Sequence, residues 1–150
     1  LRDRTATIDS LPLIVASILS KKLATGAAAI VFDVKTGDAA FLPELGAARE
    51  LARRLVGITR ALGVEASALI TSMDEPLGEW AGHAAEIRES LDCLEGGGPE
   101  DTLEVTLALA LEAGRLLGGG FDRETLRRKL ADGSAREAFA RWAVAPLRWS

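Results

Sequence analysis

The sequence has 150 residues, of which 48% are hydrophobic, and this is enough to bury a core in a single domain. The formal net charge is only −4, which argues against a nucleic-acid-binding protein, and no uncharged apolar run approaches the roughly 18 residues of a membrane span. The single cysteine, Cys93, excludes an internal disulfide and is typical of a protein of the reducing cytosol.

The first element predicted along the chain is a helix that begins near Ser10. Asp9 and Ser10 are both favoured helix caps, and Pro12 follows at a position where its missing N–H costs no hydrogen bond. Residues 13–19 are apolar except for Ser17. We therefore expect this helix to be buried on most of its surface.

The polar exceptions on this helix form a candidate binding site. Ser17 and Lys21 are four residues apart and so lie on one face, and Arg2 precedes the helix. A guanidinium, an ammonium and a hydroxyl together suit a planar ring with carbonyl and N–H groups, and cations near the carbonyl oxygens would stabilise a ring that leaves as an anion. Alternatively, Ser17 bonds to its own helix and Lys21 extends to solvent. The spacing leaves both interpretations open.

The rest of the chain alternates predicted strands and helices. Two short apolar runs, each followed by a polar loop, predict buried strands over residues 27–34 and 64–71. Apolar stripes with helical spacing predict helices over residues 45–62, 84–94 and 101–117. This order predicts an α/β fold, a layered sheet with flanking helices. Two strands are few for such a sheet, so we expect strands that this sequence does not contain to complete it.

Polar residues mark several helix starts. Asp101 is predicted to cap the helix over residues 101–117, Asp122 to cap the next one, and Ser134 with Glu137 to begin the last. The single histidine, His83, is predicted to be a helix-start residue rather than a catalytic base. With one histidine and one cysteine, a zinc site is excluded.

Several motifs occur in an order that is specific to one enzyme family. They are the stretch over residues 1–23, then Asp33-Val34-Lys35-x-Gly37, Ala68-Leu69-Ile70-Thr71-x-Met73, Pro76-Leu77-Gly78 and Gly82-x-Ala84-x-Glu86. Together they closely resemble the thymidine and pyrimidine-nucleoside phosphorylases. The similarity runs to about Ala145, so residues 1–145 are expected to form a partial α/β domain, followed by a tail over residues 146–150. The family's N-terminal helical part with its phosphate loop, and its C-terminal domain, are not found in this sequence, and the chain does not begin with methionine. We therefore expect it to be a fragment.

The resemblance implies an activity and a set of site residues. Such enzymes use phosphate as co-substrate, and no organic cofactor, to displace the base from C1′ of thymidine or uridine. Arg2, Ser17 and Lys21 would hold the pyrimidine, with Arg2 and Lys21 as the catalytic cations. The backbone carbonyls of Leu77 and Trp80 and the carboxylate of Glu89 would bind a monovalent cation such as potassium. The resemblance also implies a cytoplasmic homodimer that acts in nucleoside salvage.

Four loop residues depart from the pattern of the family. Asp38 lies in the loop after the first strand, Ser72, Asp74 and Glu75 lie in the loop after the second, and they replace residues that the family usually has there. Two alternatives remain open: a pentosyl transferase like anthranilate phosphoribosyltransferase, which has a related fold, or a non-catalytic binding module, for which Asp38, Ser72 and Asp74 leave room. Because the phosphate loop is not found in this sequence, we expect the 150-residue chain alone to be inactive.

Overall fold

The computed structural model describes residues 10–144. They form, in chain order, α1 (Leu11–Leu23), β1 (Ala29–Thr36), α2 (Leu45–Ala61), β2 (Glu65–Ser72), α3 (His83–Leu94), α4 (Glu100–Leu116), α5 (Arg123–Ala131) and α6 (Ser134–Val144). The strands and helices agree with the predicted elements to within a few residues, and the α/β class is confirmed. No helix in this part of the chain has both the length and the apolarity needed to cross a bilayer.

The two strands are parallel neighbours. Their register runs from the pair Ala29 and Glu65 to the pair Thr36 and Ser72. A parallel pair needs a crossover connection, and α2 provides it. Both carboxyl ends therefore lie at the same edge of the sheet, and the loops that follow them are neighbours.

The core of this part of the chain lies between the sheet and α2. Alternation along β1 turns Phe32 and Val34 to one face of the sheet, and both are buried there. Leu51 and Leu55 of α2 pack against them, and Leu55 is only 2% exposed. The buried Thr59 hydroxyl donates a 2.6 Å hydrogen bond to the carbonyl of Leu55, one turn earlier, so its burial leaves no unpaired group.

Helix α1 is less buried than predicted. It packs against α2 through one side, where Val15 and Leu19 are its fully buried side chains. A helix is buried on all sides only when other elements pack against it from several directions. Within residues 10–144, other elements pack against only one side of α1. The prediction of a helix buried on most of its surface is wrong for this part of the chain.

The chain divides into two compact units. The first comprises the described residues up to Glu75 together with Glu112–Gly119, and the second comprises Pro76–Leu111 with the described residues from Gly120 onward. The second unit is helical, and Cys93, Leu103 and Leu107 are buried in it.

Two of the predicted helix caps have different outcomes. Asp122 caps α5 as predicted, since its carboxylate accepts a 2.7 Å hydrogen bond from the N–H of Thr125. The prediction for Asp101 is wrong: α4 begins at Glu100, and the carbonyl of Pro99 accepts the hydrogen bond from Leu103 that opens the helix. Asp101 lies inside the first turn, where its Oδ1 accepts a 2.7 Å hydrogen bond from the N–H of Thr102 and its Oδ2 binds a neighbouring loop.

Candidate functional site

The polar face predicted for α1 is present. Ser17 and Lys21 lie one turn apart, and each is two residues from a buried side chain, Val15 or Leu19. Residues two apart on a helix point in nearly opposite directions, so Ser17 and Lys21 lie on the side of α1 turned away from α2. Ser17 is half-buried and Lys21 is exposed. Arg2, the third residue of the predicted set, lies outside the described residues.

The structure agrees with only one half of the alternative interpretation: Lys21 does extend to solvent, whereas the Ser17 hydroxyl makes no hydrogen bond to its own helix within the described residues. Within residues 10–144, the Ser17 hydroxyl and the Lys21 ammonium have no hydrogen-bond or ion-pair partner, although the hydroxyl of Ser20 donates to the Ser17 carbonyl at 3.2 Å. Lys21 and Lys22 also occupy the last turn of α1, where the negative end of the helix dipole favours cations. A hydroxyl and a positive charge are therefore available to a ligand on this face.

A second polar group lies near the carboxyl edge of the sheet. The ammonium of Lys35 contacts Asp33 Oδ2 at 2.9 Å and Thr71 Oγ1 at 2.8 Å, and the Thr71 hydroxyl donates to Asp33 Oδ1 at 2.5 Å. The three side chains form a closed ring in which the charge of Lys35 is balanced. The alternation of side chains along β1 predicts that Asp33 and Lys35 lie on the same face of the sheet. The contact with Thr71 depends instead on the register between β1 and β2, which pairs Thr71 with Lys35.

A cavity of about 630 Å³ runs along β1 beside this ring. It is lined mainly by apolar side chains, with Lys22, Asp33 and Lys35 as its charged residues and Phe41 and Leu42 from the loop after β1. This volume is in the range of small-molecule sites, roughly 300–1,000 Å³. An apolar cavity with a few charged groups near the carboxyl edge of parallel strands is a typical ligand site.

The loops after the two strands carry the residues that depart from the pattern of the family. Asp38 is exposed at the tip of its loop, as expected of a surface aspartate. Asp74 accepts hydrogen bonds from the hydroxyl of Ser72 at 2.6 Å and from the N–H of Asp38 at 3.0 Å. These two donors, first Ser72 and then Asp38, lower the pKa of the Asp74 carboxyl. The substitutions in the two loops therefore contact one another.

In the helical unit, Glu89 binds the loop that was predicted to hold a cation. Its Oε2 accepts hydrogen bonds from the N–H groups of Glu79 at 2.8 Å and Trp80 at 3.2 Å, and the side chain is almost buried, with 9% exposed. Gly78 has φ of 78°, and a Cβ there would overlap Glu89 Oε1. The glycine leaves the room that the carboxylate occupies.

The same loop is held from a second helix. Asp101 Oδ2 accepts a 2.9 Å hydrogen bond from the N–H of Gly78, and this bond is the largest cause of the lowered pKa of Asp101. Leu77 and Trp80 have exposed side chains, so their predicted role rests on backbone carbonyls alone. Within residues 10–144, no group of three His, Cys, Asp or Glu side chains could hold a metal. Glu89 Oε1 accepts no hydrogen bond within these residues and could therefore be one ligand of a cation. The other ligands would have to be the backbone carbonyl oxygens of Leu77 and Trp80.

Comparison with known proteins places these features in a family. The model of the glycosyl transferase family, α/β domain, matches residues 1–135. Thymidine phosphorylase of Mycobacterium tuberculosis (strain CDC 1551 / Oshkosh) is 49% identical over 147 residues, which is 97% of this chain and 34% of the relative.

Two further relatives have similar names. Thymidine phosphorylase of Homo sapiens is 54% identical over 108 residues, which is 72% of this chain and 22% of the relative. Pyrimidine-nucleoside phosphorylase of Geobacillus stearothermophilus is 43% identical over 149 residues, which is 97% of this chain and 34% of the relative. The chain thus spans about a third of the length of these relatives, or less.

Proposed function

Because this chain belongs to the glycosyl transferase family through its α/β domain, we propose that the protein containing it carries out phosphorolysis of pyrimidine nucleosides. The observation that carries the proposal is the free polar face of α1, with Ser17 and Lys21 one turn apart, in a chain 43–54% identical to thymidine and pyrimidine-nucleoside phosphorylases. The names of these relatives favour this reaction over transfer to anthranilate and over a non-catalytic module.

In the proposed reaction, one nucleophile replaces one leaving group at C1′ of the pentose. An oxygen of phosphate forms the new bond to C1′, the bond from C1′ to the base nitrogen breaks, and its electron pair stays with the base. The negative charge spreads to the carbonyl oxygens of the ring before a proton neutralises it. The ammonium of Lys21, with the guanidinium of Arg2, would stabilise that charge, and the hydroxyl of Ser17 would orient the ring by a hydrogen bond.

The test is phosphate-dependent release of thymine or uracil by the full-length protein. Replacing Lys21 by alanine is expected to lower kcat about a hundredfold or more, because a donor aimed at developing charge contributes mainly in the transition state. Lys129→Ala is the control for loss of a lysine, since Lys129 is exposed on α5 in the other unit. If Lys21→Ala and Lys129→Ala retain equal activity, the role of Lys21 is wrong.

The isolated 150-residue chain is expected to release no base, as the sequence predicted. Phosphate would have to be bound by residues that this sequence does not supply. Phosphorolysis by the purified chain would contradict this part of the proposal.

We further propose that Glu89 and the carbonyl oxygens of Leu77 and Trp80 hold a monovalent cation such as potassium. Support comes from Glu89 Oε1, which faces the loop at Gly78 while Oε2 is bound to two N–H groups. When bound, the cation would supply a fixed positive charge that rigidifies the loop. Replacing potassium by tetramethylammonium should lower the melting temperature of the wild-type protein and leave that of Glu89→Gln unchanged. An equal response of both proteins would refute the site.

The cellular and assembly properties are also proposed from the resemblance. We expect a cytoplasmic homodimer that recovers bases or nucleosides in salvage. Sedimentation of the full-length protein at several concentrations tests the dimer, and a monomer at all of them would contradict it.

A further inference from the structure

A side chain joins the two loops at the carboxyl edge of the sheet. Asp74 follows β2, and its Oδ1 accepts a 3.0 Å hydrogen bond from the N–H of Asp38, which lies in the loop after β1. Its Oδ2 accepts from the Ser72 hydroxyl at 2.6 Å, and the Asp74 N–H donates back to that hydroxyl oxygen at 3.1 Å. The carboxylate is thus fixed in its own loop before it reaches the other.

Backbone hydrogen bonds extend the connection on both sides of Asp74. The N–H of Met73 donates to the carbonyl of Thr36 at 2.7 Å, and the N–H of Ala39 donates to the carbonyl of Met73 at 3.1 Å. Gly37 has φ of 110°, and a Cβ at this position would overlap the Asp74 carboxylate. The two loops therefore fit together closely, and the glycine makes the approach of the carboxylate possible.

We propose that Asp74 is a positioning residue for the substrate site. By holding the N–H of Asp38, it fixes the loop after β1, whose Phe41 and Leu42 line the cavity along that strand. Parallel α/β sheets bind their ligands at the carboxyl edge, where this loop lies. This inference rests on the proposed phosphorolysis: Ser17 and Lys21 do not themselves line the cavity, but their neighbours Ile18 and Lys22 do, so a nucleoside held at this side of α1 would extend into the cavity and lie against the fixed loop.

The experiment compares Asp74→Ala with Asp74→Asn in the full-length protein. Alanine removes both acceptors, whereas asparagine keeps a carbonyl oxygen that can accept from Asp38. In Asp74→Ala, hydrogen exchange in the peptide that covers Asp38 should be at least about tenfold faster, and KM for the nucleoside should rise about five- to tenfold with kcat nearly unchanged. Asp74→Asn should stay within about threefold of wild type in both measurements.

Asp132→Ala is the matched control. The carboxylate of Asp132 also accepts a backbone hydrogen bond, 2.9 Å from the N–H of Ser134, but it lies in the helical unit. This variant should leave KM and exchange at Asp38 unchanged. The same KM increase in Asp132→Ala would indicate a general loss of stability and overturn the proposal.

Other outcomes separate this inference from the proposed function. Unchanged exchange at Asp38 in Asp74→Ala would show that the backbone bonds suffice, and the inference would be wrong. Faster exchange with an unchanged KM would leave Asp74 a structural role only and also overturn it. A wild-type protein that releases no base would refute the proposed function and any role of the loop in substrate binding, while the exchange data would still decide whether Asp74 holds the loop.

Discussion

Replacing Gly78 by alanine is expected to destabilise the helical unit far more than the same replacement at Gly133. Both glycines have φ of 78°, so the conformational cost of a Cβ is the same, about 1–2 kcal/mol. At Gly133 a Cβ would meet nothing within 4 Å, whereas at Gly78 it would overlap Glu89 Oε1. The difference between the two variants therefore isolates the contact with Glu89.

The size of the difference follows from the hydrogen bonds of Glu89. Its carboxylate must move to admit the Cβ, and it accepts N–H groups from Glu79 at 2.8 Å and Trp80 at 3.2 Å while almost buried. A hydrogen bond to a charged group contributes about 1.5–3 kcal/mol, so losing one or both adds about 2–5 kcal/mol to the cost. We expect a loss of unfolding free energy of about 3–7 kcal/mol for Gly78→Ala and about 1–2 kcal/mol for Gly133→Ala.

Urea titration followed by far-ultraviolet circular dichroism measures both losses. The double variant Gly78→Ala, Glu89→Ala completes the comparison, because the Cβ has no carboxylate to displace once Glu89 is gone, so the two changes should cost less together than the sum of their separate costs. Equal losses in Gly78→Ala and Gly133→Ala, or full additivity in the double variant, would refute this explanation.

Three further predictions concern burial and charge. Leu55→Ala should lower the unfolding free energy by about 3–4 kcal/mol in the same titration, because Leu55 is 2% exposed, whereas Leu62→Ala, at 60% exposed, should lower it by less than about 1 kcal/mol. The paired hydrogen bonds from Arg115, and then the Ser67 hydroxyl, lower the pKa of Glu112 from its usual 4.5 to about 2. Because the folded pKa is the lower one, this stabilisation is present above about pH 4.5 and is lost as the pH falls toward 2, so Glu112→Gln should flatten the dependence of melting temperature on pH in that range. Cys93 is buried and its pKa is raised, first by burial and then by nearby Glu89, so a thiol reagent at neutral pH should modify it at a measurable rate only when urea unfolds the helical unit.

Periodicity in the sequence predicts most of the helices and strands, because these elements form between residues that are near one another along the chain. The apolar runs identified both strands, and stripes such as that of α2 identified the helices to within a few residues. Periodicity does not show how many layers surround an element. The apolar character of α1 therefore led to an overestimate of its burial, since within residues 10–144 α2 covers one side of it.

The same distinction applies to the candidate site: contacts between residues near in sequence were predictable, and contacts between distant residues were not. Ser17 and Lys21 share a face because a helix repeats every 3.6 residues, and this was predictable. The ring of Asp33, Lys35 and Thr71 depends on the register between two strands that are more than 30 residues apart, which no local pattern contains. Asp101 was assigned to a cap by its position, but its carboxylate binds Gly78, 23 residues earlier in the chain.

Carboxylates that accept backbone N–H groups explain how the loops of both units keep their shape with little apolar burial. Asp74, Glu89 and Asp101 each hold a loop in this way, and Gly37 and Gly78 leave the space for two of them. An acceptor oxygen is what these positions require, because a neutral amide oxygen can still receive the N–H, whereas a methyl group cannot. Asparagine at 101 should therefore keep the loop at Gly78 in place and alanine should release it, which hydrogen exchange at Gly78 can measure. Equal exchange rates in the two variants, both faster than in the wild-type protein, would show that the negative charge, rather than the acceptor atom, holds the loop.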